Sequence, residues 1–511
     1  MMPKYKSYNY HQTTLVPVDL EKQLPPGLIE FAIHYLVDNE IDLTDLDSRY
    51  KNDDEGRPVY DPRILLKVVL LAYARSILGS RPIEQACREN ITFMALSCGQ
   101  CPDHSTIATF VSSMQDEIIR IFRDILLICE KERLLGGTSF SLDGLKLPAN
   151  ASKEMSGTFA ELTHKKKKLE EKVRKLIKRH QRTDVKENKG DDKYTRNQEK
   201  QIERLKHRAE KIDQFLKETE PKYNHRGHEI KSNITDNDSE KMVTSHGTIQ
   251  GYNGQALVDD KFQIIIHAEA MGKGQDREHV LPMIDGAKEN MKAIGLAEDY
   301  FKGKEFIADS NYHSTVNLKK CNDEQLDAYI PDVNFRKRDP RFKNQDRYKP
   351  FKKKRKHFKV EDFTYDQQTD SYTCPTGEEL TLRARHAKIK TKVYRRYGVA
   401  EGTCDACRYR KRCLKTPTAR RKYLEIDWGR PPEDLVGKMI AKIDTEKGKK
   451  RYERRLAIVE PVFANIRTQK RLDRFTLRGK LKVNVQWQLY CIIHNIEKIV
   501  NYGASFAYQS G

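Results

Sequence analysis

Three acidic residues stand in distinctive contexts: Asp143 in SFSLDGLKLPANASKE, Asp309 in EFIADSNYHS and Glu460 in YERRLAIVEPVFANI. Each Asp closes a short apolar run that reads as a buried strand, and the Glu lies in a long helical pattern. Phosphodiester cleavage spreads negative charge over non-bridging oxygens, and two divalent ions about 4 Å apart can stabilise both the attacking and the leaving oxygen. Mg²⁺ (or Mn²⁺) takes carboxylate oxygens and keeps several waters, so a few converging acids suffice. No Ser, Cys or Tyr nucleophile is needed, because water or a DNA 3′-hydroxyl can attack in line. The three acids alone are not specific. The chain holds 74 Asp and Glu residues, and an Asp at a strand end is commonly a turn residue. Asp236, Asp238, Asp276 and Glu453 compete for the same role; Asp276 reads more simply as a helix-start charge.

A second constellation is Cys374 in SYTCPTGEE with Cys404, Cys407 and Cys413 in GTCDACRYRKRC. Four thiolates in two knuckle-like turns suit a tetrahedral structural Zn²⁺. The alternative is four free cysteines. The chain has 10 cysteines in 511 residues, too sparse for a disulfide scaffold. Arg408, Arg410, Lys411 and Arg412 inside the second knuckle point to DNA contact as well.

The elements that must position these residues follow from periodicity. Residues 1–134 read as a helical, DNA-binding domain. RILLKVVLLAYARSIL forms a buried helix begun at Pro62, and Ser105 is the expected N-cap of a helix starting at Thr106. A helix-turn-helix-like bundle and a plain helical bundle both remain open. The strand TSFSLDG opens the segment 135–158, with Gly144 allowing a sharp exit. Residues 159–222 carry apolar residues at helical spacing in two stretches, the pattern of an antiparallel helical hairpin. Its basic outer face suits either solvent or DNA. In 223–332, two strands meet at a turn near Asp260, followed by helix, strand, helix and strand. Without the hairpin this is the element order of an α/β, RNase H-like fold. Its first and fourth strands, adjacent and parallel, carry Asp143 and Asp309 to one sheet edge. Residues 431–505 return to helix and deliver Glu460. Between them, 333–430 is a basic, Cys-rich insertion.

Lys and Arg number 95, giving a net charge of +21. A strongly basic chain favours a polyanionic partner, here nucleic acid. In NFRKRDPRFKNQDRYKPFKKKRKHFKV the cations Lys352, Lys353, Lys354, Arg355 and Lys356 stand among Phe335, Phe342, Tyr348, Phe351 and Phe358. Cations match phosphates and aromatic faces stack on bases; a disordered basic linker is the other reading. No apolar stretch is long enough for a membrane span. The first residues lack the apolar core of a secretory signal, so the chain is expected to stay where it is made.

With DGLKLPANASKEMSG, TDNDSEKMV, GYNGQALVD, FIADSNYHS and YERRLAIVEPVFANIRTQKRLDRFTLRGKLKV in view, the chain resembles DDE transposases of bacterial insertion sequences, the insertion sequence 1182 family above all. The resemblance covers most of the chain, including PDHSTIATF near its start. It implies an RNase H-like catalytic domain, Mg²⁺ dependence, and cleavage and joining of double-stranded DNA at terminal inverted repeats. It also implies a homodimer on DNA and a cytoplasmic, nucleoid-associated location. Asp143, Asp309 and Glu460 fall on the family's catalytic triad. A related signature places Tyr, Arg, Glu and Lys at set spacings; Tyr452, Arg455 and Glu460 follow it, with four residues rather than three between Arg455 and Glu460. Arg467 stands where Lys is expected. It keeps the charge and changes the phosphate geometry. If Pro461 does not disrupt the helix, Glu460 and Arg467 face one side. A non-catalytic DNA-binding regulator and an RNase H-like nuclease are the alternative functions.

Overall fold

The computed structural model describes residues 17–47, 59–184, 192–224, 227–244, 247–342, 357–389, 392–416, 418–427 and 434–506. It is a mixed α/β protein that divides into two compact units, 1–306 with 454–511, and 307–453. Among the described residues no helix is long and apolar enough to cross a membrane.

The first unit is built on the strand Ser139–Pro148, which pairs antiparallel with Gly247–Asp259. That long strand pairs in turn with Ile265–Met271 and with Glu240–Thr244. On the far side of Ser139–Pro148, the Glu305 N–H donates to the Thr138 carbonyl at 3.0 Å. The strand through Asp143 thus runs on to Pro148 instead of leaving the sheet at Gly144. The glycine serves close approach: a methyl group there would run into the Gln255 and Asn253 side chains on the neighbouring strand.

Helices cover both faces of this sheet. Lys480–Tyr502 lies on one, where the Trp487 ring packs over Gly254 and its Nε1 donates to the Gln255 carbonyl at 3.0 Å. Asn495 closes both polar groups of Ile265, accepting from its N–H at 2.9 Å and donating to its carbonyl at 2.8 Å. Val280–Ala293 covers the other face; the His267 ring sits against Gly286 and its Nδ1 is 3.2 Å from Asn290 Nδ2. Side chains alternate along a strand. Asp143 opposes Ala256, two residues from Gly254, so it points to the face of the Lys480–Tyr502 helix.

The N-terminal helices join the same unit. Pro62–Ala74 is buried along most of its length and Tyr73 meets Tyr490 of the Lys480–Tyr502 helix, ring centres 5.2 Å apart. Asp61 caps it, accepting from the Arg63 N–H at 2.7 Å, with Pro62 at the first position where a missing N–H costs nothing. The helix His104–Ser113 begins earlier than Ser105 would start it. Asp103 is the cap, because its carboxylate reaches the Ser105 and Thr106 N–H groups at 2.8 and 3.1 Å. The helical hairpin is Phe159–Asp184 with Asp192–Glu218. Its antiparallel sense follows from Phe159 against Phe215 and Lys166 bonded to Asp213 at 2.6 Å.

Burial holds two histidines of this unit neutral. Desolvation lowers the pKa of His267 to about 4 and that of His494 to about 3. An unfolded histidine titrates near 6.5, so below that pH the unfolded chain takes up protons that the folded chain refuses. Stability is therefore full above pH 6.5 and falls as pH drops toward 4. From pH 7 to pH 5 the loss expected is about 2 kcal/mol for each histidine. Urea unfolding at both pH values checks this, and His494→Gln should reduce the slope.

In the second unit, the end of the strand Glu305–Ala308 is followed by the helix Thr315–Asp323 and the strand Asp327–Tyr329. A five-stranded antiparallel sheet follows, Thr364–Asp366, Ser371–Thr373, Glu379–Ile389, Lys392–Gly398 and Tyr423–Asp427 in order. It has a small core of its own, with Phe363, Leu380, Tyr397, Val399, Leu414 and Leu424 packed on Cys404 and Cys413.

Candidate active site

In the first unit, Asp143 is held from two sides. Its Oδ1 accepts from the Gly144 N–H at 2.8 Å and its Oδ2 accepts from Arg455 Nη1 at 2.6 Å. In the second unit, Asp309 directly follows its strand and caps the 3₁₀ turn Ser310–Tyr312, accepting from the Ser310 N–H at 2.6 Å. Tyr452 donates its hydroxyl to Asp309 Oδ1 at 3.3 Å, and its ring meets Phe335 edge-on at 5.6 Å. Asp309 is thus a turn residue as well as a candidate ligand.

Tyr452, Arg455 and Glu460 all belong to the helix Glu446–Ala464. Glu460 is exposed. Five residues of α-helix separate it from Arg455 by about 140° around the axis, so the two do not share a face. The four-residue gap in the sequence signature has this consequence. Ile458, Val459 and Val462 bury the helix's inner side, and Phe463 stacks near Trp487 with ring centres 6.4 Å apart.

Pro461 sits inside this helix without ending it. A proline removes the hydrogen bond to the carbonyl four residues earlier, here Ala457. The freed carbonyl accepts from Gln263 Nε2 at 3.0 Å. Gln263 is anchored in turn, its carbonyl oxygen 2.9 Å from His494 Nε2 and its Oε1 accepting from Lys498 at 2.8 Å. Sequence reasoning missed Gln263. The signal was a proline at a helical position, which implies a stranded carbonyl. Gln263→Ala should destabilise the protein by about 0.5–1.5 kcal/mol, the net worth of a hydrogen bond whose acceptor water can still reach, and thermal melting reads it directly. After Ala464 the chain makes a π-helical turn, Asn465–Gln469, that carries the exposed Arg467. The wider turn changes the register expected of an uninterrupted helix, so the seven-residue spacing of Glu460 and Arg467 no longer places them on one side. The basic run Lys352, Lys353, Lys354, Arg355 and Lys356 lies outside the described residues, as do Tyr348 and Phe351.

Of the competing acids, Asp236 accepts from the buried Tyr252 hydroxyl at 2.7 Å, and Asp276 accepts from Asn253 at 2.6 Å and lies 3.4 Å from Lys146. Glu453 is paired with Arg341. All three have structural occupations.

The four cysteines line one small cavity of about 30 Å³ in the second unit. Cys374 forms a tight turn, with the Gly377 N–H donating to its carbonyl at 2.9 Å and the Thr376 N–H reaching its Sγ at 3.4 Å. The Arg410 N–H donates to the Cys407 carbonyl at 3.0 Å, closing the second turn. Burial raises the Cys404 and Cys413 thiols above their usual pKa, and the other cysteines of the group add to it. The donor set and the shared cavity suit a soft metal ion. Among the described residues, no group of three or more His, Cys, Asp or Glu side chains already stands in an arrangement able to hold a metal.

In this strongly basic, mixed α/β chain, Asp143 is thus held by Arg455 in the first unit and Asp309 by Tyr452 in the second. The comparisons with known families sharpen this. Residues 18–113 match the family described as Transposase domain (DUF772), and residues 373–500 match the Transposase DDE domain. Together the two matches imply a transposase, a DNA-cleaving enzyme. The second match takes in Glu460 and the cysteines but neither Asp143 nor Asp309. A search of curated proteins finds no match.

Proposed function

We propose that the chain is a DDE transposase of a bacterial insertion sequence, of the insertion sequence 1182 family. It binds the terminal inverted repeats, frees 3′-hydroxyl ends and joins them to target DNA. Asp143, Asp309 and Glu460 are its catalytic and Mg²⁺-holding (or Mn²⁺-holding) residues, on an RNase H-like domain. The observation that carries this reading is the ion pair of Asp143 with Arg455, a residue of the helix that also carries Glu460. In the second unit, Tyr452 reaches Asp309. The antiparallel pairing around Asp143, with Glu305 alongside, supports the RNase H-like reading.

Bound divalent ions would stabilise the attacking and leaving oxygens of the phosphodiester. The chain itself supplies position and charge. The Gly144 N–H fixes one oxygen of Asp143, and the Ser310 N–H fixes one of Asp309. Tyr452, Arg455 and Arg467 are DNA-contacting residues in this reading, with Arg467 offering its guanidinium to a phosphate from the π-helical turn. The basic run at 352–356 adds non-specific affinity, a zinc-bound 333–430 segment carries part of the DNA-binding surface, and a homodimer holds two ends together.

Strand-transfer assays test the function, using labelled DNA from the ends that flank the gene, target plasmid and Mg²⁺. Nicking followed by joining is the expected result. Nicking without joining would make the chain a nuclease, and binding without cleavage would make it a DNA-binding regulator.

A further inference from the structure

Asp143 is already paired with a cation belonging to the protein. Arg455 Nη1 lies 2.6 Å from Asp143 Oδ2, and the two side chains are only 13% and 26% exposed. The remaining oxygen is taken by the Gly144 N–H. A guanidinium keeps its proton at any physiological pH, so this charge stays wherever the side chain lies. We propose that Arg455 is a built-in counter-cation that a divalent ion must displace from Asp143, and that a DNA phosphate receives the displaced guanidinium. Metal and DNA then bind this chain cooperatively. The inference rests on the reading of Asp143 as a metal ligand.

The physical argument is one of charge. A guanidinium and a divalent ion on the same carboxylate repel each other, and shielding from solvent weakens the screening that would relieve them. Metal binding therefore expels Arg455 from its partner and leaves a half-buried cation in need of an anion. A phosphate accepts a guanidinium through two parallel hydrogen bonds. DNA held nearby thus removes a cost that metal binding alone must meet. The coupling is reciprocal, so metal tightens DNA by the same factor.

The helix around Arg455 is tethered: Arg454, the residue before it, is bonded to Asp260 at 2.5 Å, and the Ala457 carbonyl is held by Gln263.

Mn²⁺ binding to the full chain, read by electron paramagnetic resonance with and without a duplex oligonucleotide, provides the test. Wild type should bind Mn²⁺ about tenfold tighter when DNA is present, within the usual range of coupling between sites. Arg455→Gln should bind Mn²⁺ tighter than wild type without DNA and gain little from adding it. Arg455→Lys keeps the charge and should stay close to wild type. The inference is overturned if Arg455→Gln binds Mn²⁺ no tighter than wild type, or if Gln and Lys raise its affinity equally. Asp143→Asn separates the two levels. Unchanged Mn²⁺ binding in that variant would remove Asp143 from the metal site and with it the functional reading. Lost binding there, together with no effect of Arg455→Gln, would remove only the inference.

Discussion

Asp143→Asn, Asp309→Asn and Glu460→Gln are each expected to slow DNA cleavage and joining by roughly 10³-fold or more, with DNA binding retained. Each substitution keeps the side-chain size and removes the charge, so it isolates the electrostatic role. Preorganised charge at a phosphoryl-transfer centre commonly accounts for losses of this order. Asp143→Asn also leaves Arg455 without its anionic partner, which should tighten non-specific DNA binding slightly at low salt. Labelled-end cleavage in Mg²⁺, alongside a filter-binding titration, reads both quantities. A variant that cuts at the wild-type rate would take that residue out of the triad. Glu460 is the most exposed to such a result, because its side chain faces solvent and its spacing from Arg455 departs from the related signature.

The second large effect concerns the cysteines. Purified chain is expected to carry one Zn²⁺ per molecule. Chelation, or Cys407→Ser, should lower the stability of the second unit by several kcal/mol, as metal binding and folding are coupled in small thiolate sites. Cys407 is the better test position than Cys404, since Cys404 belongs to the local hydrophobic core and a serine there would weaken the fold without any metal. That core means the segment does not depend on metal alone, so a weakened fold is expected rather than a wholly unfolded one. Metal analysis that finds well under one zinc per chain would leave four free thiols around a shared cavity.

Much of this architecture was legible locally. The helical hairpin was readable because Leu162, Val173, Leu205 and Ile212 recur at helical spacing and all four are buried. Asp309 was readable as the end of a strand because FIA precedes it and a polar turn follows. Pro62 announced its helix. Misreadings arose where one signal has two physical causes. Gly144 can end a strand or admit a neighbour's side chains, and here Asn253 and Gln255 decide the matter. Ser105 and Asp103 can both cap a helix, and the carboxylate two residues earlier reaches the free N–H groups.

What the sequence by itself determined is the set of local units and their chemistry: which stretches are helix or strand, where acids and thiols lie, and how basic the chain is. These follow from periodicity, caps and charge, which act over a few residues. Only the tertiary structure decided what each functional group touches. Alternation gives the strand through Asp143 two faces, and packing of the Lys480–Tyr502 helix chose which face Asp143 shares. Its ion pair with Arg455 spans 312 positions of chain, and the partner of the carbonyl freed by Pro461 lies 194 positions away at Gln263. Such contacts form because an acid and a freed carbonyl gain by finding partners in the fold even where water still reaches them in part. The spacing of residues along the chain carries no record of which partner that will be.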